Sequence, residues 1–348
     1  MLNNKKSVAI IGLGLVGRVL VLSLLRRFSD IQITCFDQSK DTKGFSTCGF
    51  SAAGMIAPVC ESLDIDFGVY SLSSSSVSEW QEIDTQLGGD TFFLTGTDLV
   101  AHPFDRSDFE RKVDILNSNE VKNLDINFSI SELELHSNYN NNLYNKVLTI
   151  PKEGFVDVPT FYKKTSLLLE ENKYITLALN VSINTYDINV MRKDFDYIFD
   201  TRGLGAKEKL NDLYGIRGES LLVYAPDVSL SKVIRVCHPR HSIYIVPRKK
   251  HHYYIGSTTI YSEDMSGVSV RSCMELLSTL TLVHKGFLEA RIVKNFVNLR
   301  PTFSGGLPQY LQKNNLIMLN GFYRHGYLMS PALCHAVMEN IYSNHNSH

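Results

Sequence analysis

The run Gly12-Leu13-Gly14-Leu15-Val16-Gly17 constrains this chain more than any other feature. It follows a short apolar run, Ser7 to Ile11, that reads as a buried parallel strand. It opens a segment, Gly14 to Phe28, whose apolar residues predict a helix. Ile31 to Phe36 is a second β-branched run, closing on Asp37. Together they make a βαβ unit of about 30 residues, the context in which a GxGxxG carries meaning. The first glycine permits a tight turn, the second lets a pyrophosphate approach the backbone, and the third brings helix close to strand. The helix N-terminus then offers unpaired N–H groups and its positive dipole end to phosphates. Asp37, about twenty residues beyond Gly17, stands where a carboxylate accepts hydrogen bonds from a ribose diol. FAD and NAD use the same loop, so the loop alone does not choose between them.

At 348 residues the chain is long enough for two associated domains and a substantial core. With 44% hydrophobic and 20% charged residues it reads as a globular protein, and a formal net charge of -1 gives no electrostatic reason to expect nucleic acid or an anionic membrane. No apolar run approaches the roughly 20 residues of a membrane helix. The glycines interrupt the only N-terminal run resembling a leader, and no cleavage site follows, so a cytoplasmic protein is expected. The cysteines at 35, 48, 60, 237, 273 and 334 are scattered without a CxxC pair; free thiols are expected, with neither a zinc site nor a disulfide framework.

Thr47 to Pro58 is small and apolar, the next stretch to about Leu87 suggests helix, and Thr91 to Ile150 suggests short strands and polar loops with a flexible tract at Asn138–Asn142. Phe155 to Glu171 predicts a turn and a helix. Tyr174 to Ile183, Asp196 to Asp200 and Ser220 to Tyr224 predict strands. His241 to Pro247 with Tyr253 to Ser257 predicts a hairpin, Glu275 to Glu289 a helix, Leu316 to Asn320 a last strand, and Ser330 to Tyr342 a last helix. This alternation argues an α/β fold with a strand-rich insertion.

Short patches recur in a definite order: Ser51-Ala52-Ala53-Gly54-Met55-Ile56-Ala57-Pro58 followed by Glu61, Glu153-Gly154-Phe155-Val156-Asp157, Gly218-Glu219-Ser220, Tyr244-Ile245-Val246-Pro247-Arg248, Leu299-Arg300-Pro301, and Gly321-Phe322-Tyr323-Arg324-His325-Gly326-Tyr327. In this order the chain resembles the D-amino-acid oxidase family of FAD-dependent oxidoreductases, most closely its glycine oxidase and sarcosine oxidase branch. The resemblance covers nearly the whole sequence. It implies a Rossmann-like FAD-binding domain, discontinuous over 1–88, 147–218 and 300–348, and a substrate domain with a mixed or antiparallel sheet and helices over 89–146 and 219–299. It implies noncovalent FAD held by Gly12, Gly14, Gly17, Asp37, Ser51, Ala53, Gly54, Met55, Val181, Gly203, Gly321, Arg324, His325, Gly326 and Tyr327.

The same resemblance assigns Arg300 to a substrate carboxylate, which a planar guanidinium binds bidentately. It assigns Tyr244 to the closure of the substrate pocket, and Met55 and Ala57 to positions beside the flavin. The implied reaction is oxidation of the C–N bond of a small amino acid or secondary amine by hydride transfer to flavin. In that chemistry the cofactor carries the hard step and the protein orients the substrate. His325 and His241 sit in suggestive places, although a lone histidine is more often structural. Departures stand at Cys48-Gly49-Phe50, at Arg202 within Thr201-Arg202-Gly203-Leu204-Gly205-Ala206, and at Gln309 to Gln312. They motivate an alternative, a maturation factor that oxidises or hydroxylates a residue of a partner protein during quinone-cofactor biogenesis. A NAD-dependent dehydrogenase is disfavoured by the Gly321–Tyr327 patch.

Overall fold

The computed structural model describes residues 6–65, 67–124, 126–237 and 243–345. The predicted unit forms as β1 (Lys6–Ile11), α1 (Leu15–Arg27) and β2 (Ile31–Asp37), the strands pairing in parallel with Lys6 opposite Ile31 and Ile11 opposite Phe36. They belong to a six-stranded sheet in the order Gln309–Lys313, Leu316–Asn320, Tyr197–Asp200, β1, β2, Ile175–Leu179. Every pairing is parallel except the edge hairpin between Gln309–Lys313 and Leu316–Asn320.

The period-2 alternation of a strand sorts the core on the two faces of this sheet. Val8, Ile10, Phe199, Ile317 and Leu319 pack with α1 and with the last helix, Gly326–His345. Ala9, Ile11, Ile198, Leu316 and Met318 pack into a second cluster on the opposite side with Leu210 and Leu213. Because both faces are covered, these strands read as continuous apolar runs.

An eight-stranded sheet runs Arg291–Thr302, Tyr214–Tyr224, His252–Gly256, Ile243–Arg248, Val233–Cys237, Thr97–Ala101, Lys146–Ile150, Ser129–Glu132. Its pairings are antiparallel except the one between Val233–Cys237 and Thr97–Ala101. The helix Val270–Val283 covers it through Leu276, Leu280 and Val283. A small antiparallel sheet of Met55–Ile56, Gly154–Val156 and Phe92–Phe93 brings the small-residue patch beside the Glu153–Asp157 patch.

Several expectations shift. The twelve-residue strand Arg291–Thr302 was not legible, because it is an edge strand whose first five residues are exposed and show no buried alternation. A helix, Arg106–Leu116, occupies part of the stretch expected to hold only strands and loops; Phe109, Val113 and Leu116 form its buried stripe. The Asn138–Asn142 tract is anchored: Tyr139 is buried with its hydroxyl donating to Asp98 at 2.7 Å, and the Asn140 N–H donates to the Val283 carbonyl. The expected domain cuts after 146, 218 and 299 each fall inside a strand of the eight-stranded sheet, so each of those hydrogen-bonded strands belongs to that sheet as a whole. His241, the expected start of a hairpin, lies outside the described residues, and the strand is described from Ile243.

Candidate active site

The glycine loop turns directly off β1. Gly12 has φ +96, and a Cβ there would meet the Thr201 carbonyl oxygen at 2.9 Å, so the position demands glycine twice over. Thr201 locks the turn by donating its hydroxyl toward the carbonyls of Ile11 and Gly12 at 3.1 and 2.8 Å. At Gly17 a Cβ would strike the Gly12 carbonyl oxygen at 2.0 Å, the close helix–strand approach expected of the third glycine. Gly14 differs. A Cβ there would meet nothing within 4 Å, because the position faces a cavity of about 420 Å³. Gly14 is also the N-cap of α1 and offers no capping side chain, so the first-turn N–H groups stay free for an anion.

Asp37 closes the same end of the cavity. Its Oδ2 accepts from the Leu13 N–H at 2.6 Å and its Oδ1 from the Ser39 N–H at 2.7 Å. The carboxylate therefore braces the glycine loop and still has lone pairs for a diol. The Val181 N–H donates to the Asp37 carbonyl at 3.0 Å, which brings Val181 to the cavity wall.

From there the cavity passes Ser51, Ala53, Gly54, Met55 and Gly203 to Arg324, His325, Gly326 and Tyr327. The last helix begins at Gly326, so a second helix N-terminus meets the cavity. Tyr327 is fixed from three sides. Its carbonyl accepts from Trp80 Nε1 at 2.8 Å, its ring stacks on Trp80 at 5.7 Å, and its hydroxyl donates to the Gly49 carbonyl at 3.0 Å. Tyr323, at φ 47, holds the preceding turn in the left-handed region and donates its N–H to the Pro301 carbonyl at 2.9 Å. Three residues of the expected set lie off the cavity, Gly17 because it faces the Gly12 carbonyl. Ala57 is fully buried among Val59, Cys60 and Leu99 at the start of the helix Pro58–Asp64, and its methyl serves that core; Gly321 packs against the Phe303 ring, which a Cβ would meet at 2.1 Å.

Arg300 reaches the cavity from the edge strand. Its Nη2 donates to Ser257 Oγ at 2.7 Å and its Nη1 to the Thr258 carbonyl at 3.0 Å. The guanidinium lies over Gly218, where a Cβ would meet Nη2 at 2.2 Å. Tyr244 faces it across Ser257, donating its hydroxyl to Ser257 Oγ at 3.0 Å. Arg324 also lines the cavity, and among the described residues neither arginine has a carboxylate within ion-pair distance. Burial lowers the Arg300 pKa from its ordinary value, with Arg324 acting in the same direction. A half-buried cation without a carboxylate is costly to hold unless an anion completes the site.

A charged network backs this wall. Glu61 lines the cavity and lies 2.8 Å from Arg235 Nη1, while Asp64, on the same helix, takes Arg235 Nη2 and Lys112. His325 Nδ1 lies 3.6 Å from Glu61 Oε2 and makes no hydrogen bond; Arg324 Nη2 is likewise buried without a partner. These orphaned groups, together with the open space at Gly14, are what a large dinucleotide with carbonyl and phosphate acceptors would satisfy, so the residues present fit FAD. Burial pushes the His325 imidazole below its ordinary value.

The sequence alone assigns no role to Thr201, Ser257 or Arg235. Each is an ordinary residue type whose role depends on a partner distant in sequence. Arg202, which interrupts a patch of the resemblance, turns its side chain onto Asp200 at 2.8 Å, Glu208 at 3.1 Å and the Ile183 carbonyl, so the departure leaves the loop backbone in place. Cys48 does line the cavity, its thiol raised by burial.

A family model described as FAD dependent oxidoreductase matches residues 7–340. A Rhizobium etli protein, described as a candidate thiamine biosynthesis oxidoreductase, ThiO, is 30% identical over 330 residues, spanning 95% of this chain and 94% of that protein. Among solved structures, glycine oxidase from Bacillus cereus superposes with a TM-score of 0.78 at 17% identity, covering 98% of this chain and 96% of the other. Iminodiacetate oxidase from Chelativorans superposes with a TM-score of 0.75 at 19% identity, covering 94% and 93%.

Proposed function

The chain belongs to the D-amino-acid oxidase family of FAD dependent oxidoreductases, and from that membership we propose that it oxidises the C–N bond of a small amino acid or a carboxylate-bearing secondary amine. The observation that carries this reading is Arg300, a cation on the cavity wall with no carboxylate within ion-pair distance among the described residues. When bound, FAD supplies the two-electron acceptor for the hydride that leaves the carbon beside the amine. The protein's own contribution is placement. Arg300 takes the substrate carboxylate, Tyr244 borders the amine, and the glycine loop, Asp37 and the Arg324–Tyr327 turn hold the cofactor. Met55, on the cavity wall, shapes the space beside it.

The relatives named above include enzymes of glycine and iminodiacetate, which supports a small substrate. They lend no support to a protein substrate, and that alternative is set aside. Among the described residues no helix is long and apolar enough to cross a membrane. The cysteines at 35, 48, 60, 237, 273 and 334 are all unpaired, which supports residence in a reducing compartment, the cytoplasm.

The test is turnover of glycine, sarcosine and D-alanine by the FAD-loaded protein, followed with an artificial electron-acceptor dye. Activity on at least one, lost in Arg300→Met, is expected. Activity on none of them, or activity that survives Arg300→Met, would count against the proposal.

A further inference from the structure

We propose that Ser257 is a substrate-binding residue whose hydroxyl donates a hydrogen bond to the substrate carboxylate beside Arg300; this rests on the reading of Arg300 given above. A serine oxygen has two lone pairs and one proton. At Ser257 both lone pairs are engaged, one by Arg300 Nη2 at 2.7 Å and one by the Tyr244 hydroxyl at 3.0 Å. The proton has no acceptor among the described residues, and Ser257 lines the cavity.

The neighbouring phenol is not its partner: among the described residues no hydrogen bond joins Tyr254 to Ser257. Tyr254 is bonded to Ser220 Oγ and to the Ser51 carbonyl. An anion drawn to Arg300 arrives within reach of a hydroxyl already polarised by two donors, and donating onward to a carboxylate completes the chain Tyr244 to Ser257 to ligand.

The probe is acetate, a carboxylate without an amine, titrated into the FAD-loaded protein and followed by the change in the flavin absorbance band. Ser257→Ala is expected to weaken acetate binding about ten-fold, the effect of one hydrogen bond to a charged group, with FAD affinity unchanged. Ser257→Thr, which keeps the hydroxyl, is expected to restore binding, and with glycine the alanine change should raise KM more than it lowers kcat. In an Arg300→Lys background Ser257→Ala should weaken acetate again. If that second loss is absent, Ser257 acts only through Arg300 and direct donation is overturned. If Ser257→Ala binds acetate as wild type does, the inference fails while the reading of Arg300 stands. If the wild-type holoprotein does not bind acetate, the reading of Arg300 fails, and the inference with it.

Discussion

Arg235 and Glu61 form a buried ion pair at the cavity wall: Nη1 lies 2.8 Å from Oε1, off the line of a hydrogen bond, with side chains 2% and 6% exposed. Arg235 comes from the eight-stranded sheet and Glu61 from the helix that follows the small-residue patch, so the pair ties the substrate side of the molecule to the loop beside the cofactor.

Removing one partner strands a buried charge. Glu61→Ala is expected to cost about 3 kcal/mol of unfolding free energy, the low end for a broken buried pair because Asp64 still meets Arg235. Urea denaturation at neutral pH checks it; a change within experimental scatter would count against the pairing.

The pair also sets a pH dependence. Burial alone would raise Glu61, but Arg235, then Arg324 and His325, outweigh it and hold the carboxyl below its ordinary value of 4.5. A depressed carboxyl contributes stability above its unfolded pKa, and that contribution is lost as pH falls through the folded one. Glu153 has the opposite sign. Burial raises it to about 7, although the Val59 and Cys60 N–H groups bond its Oε1 at 2.8 and 2.9 Å. Its folded state prefers the proton, so stability is lost as pH rises from 4.5 to about 7. Glu153→Gln should therefore raise Tm more at pH 8 than at pH 4, and Glu61→Gln should flatten the acid limb below pH 4.5. Thermal melts across that range read both.

Gly12 and Gly14 are predicted to fail differently. Gly12→Ala meets the Thr201 backbone at positive φ, so the apoprotein itself should lose stability, by roughly 1–3 kcal/mol. Gly14→Val enters open space, so the apoprotein Tm should hold while FAD retention on purification falls. Equal loss of Tm in both would contradict the assignment of Gly14 to the ligand side of the loop.

Arg300→Lys keeps the charge and gives up the planar fork. With glycine, kcat/KM is expected to drop about 100-fold, carried mainly by KM, with the flavin spectrum unchanged. A loss of bound FAD instead would move Arg300 from the substrate to the cofactor.

The glycine loop, β1, α1, β2 and Asp37 were legible in sequence because strand, turn and helix there are local and their residues answer to local geometry. The strand Leu316–Asn320, buried on both faces, was legible for the same reason. The edge strand carrying Arg300 was not: half exposed, it has no buried period, and only its family resemblance marked the arginine. The contact of the Gly218 and Ser257 patches with Arg300 was not legible either. Gly218 lies on the strand paired with that of Arg300, and Ser257 and Thr258 follow the strand on its far side, as the Thr258–Arg300 separation of 42 residues shows. Ala57 was misplaced because a small residue beside a cofactor-lining methionine looks the same in sequence whether it faces the cavity or the core.

A carboxylate-bearing amine seated on Arg300 is the expected electron donor at this site. The most direct measurement is the absorbance spectrum of the purified holoprotein during anaerobic addition of glycine, sarcosine and D-alanine. The flavin spectrum is expected to bleach with at least one of them in the wild type and to persist in Arg300→Met. A protein that holds flavin and is bleached by none of the three would contradict it.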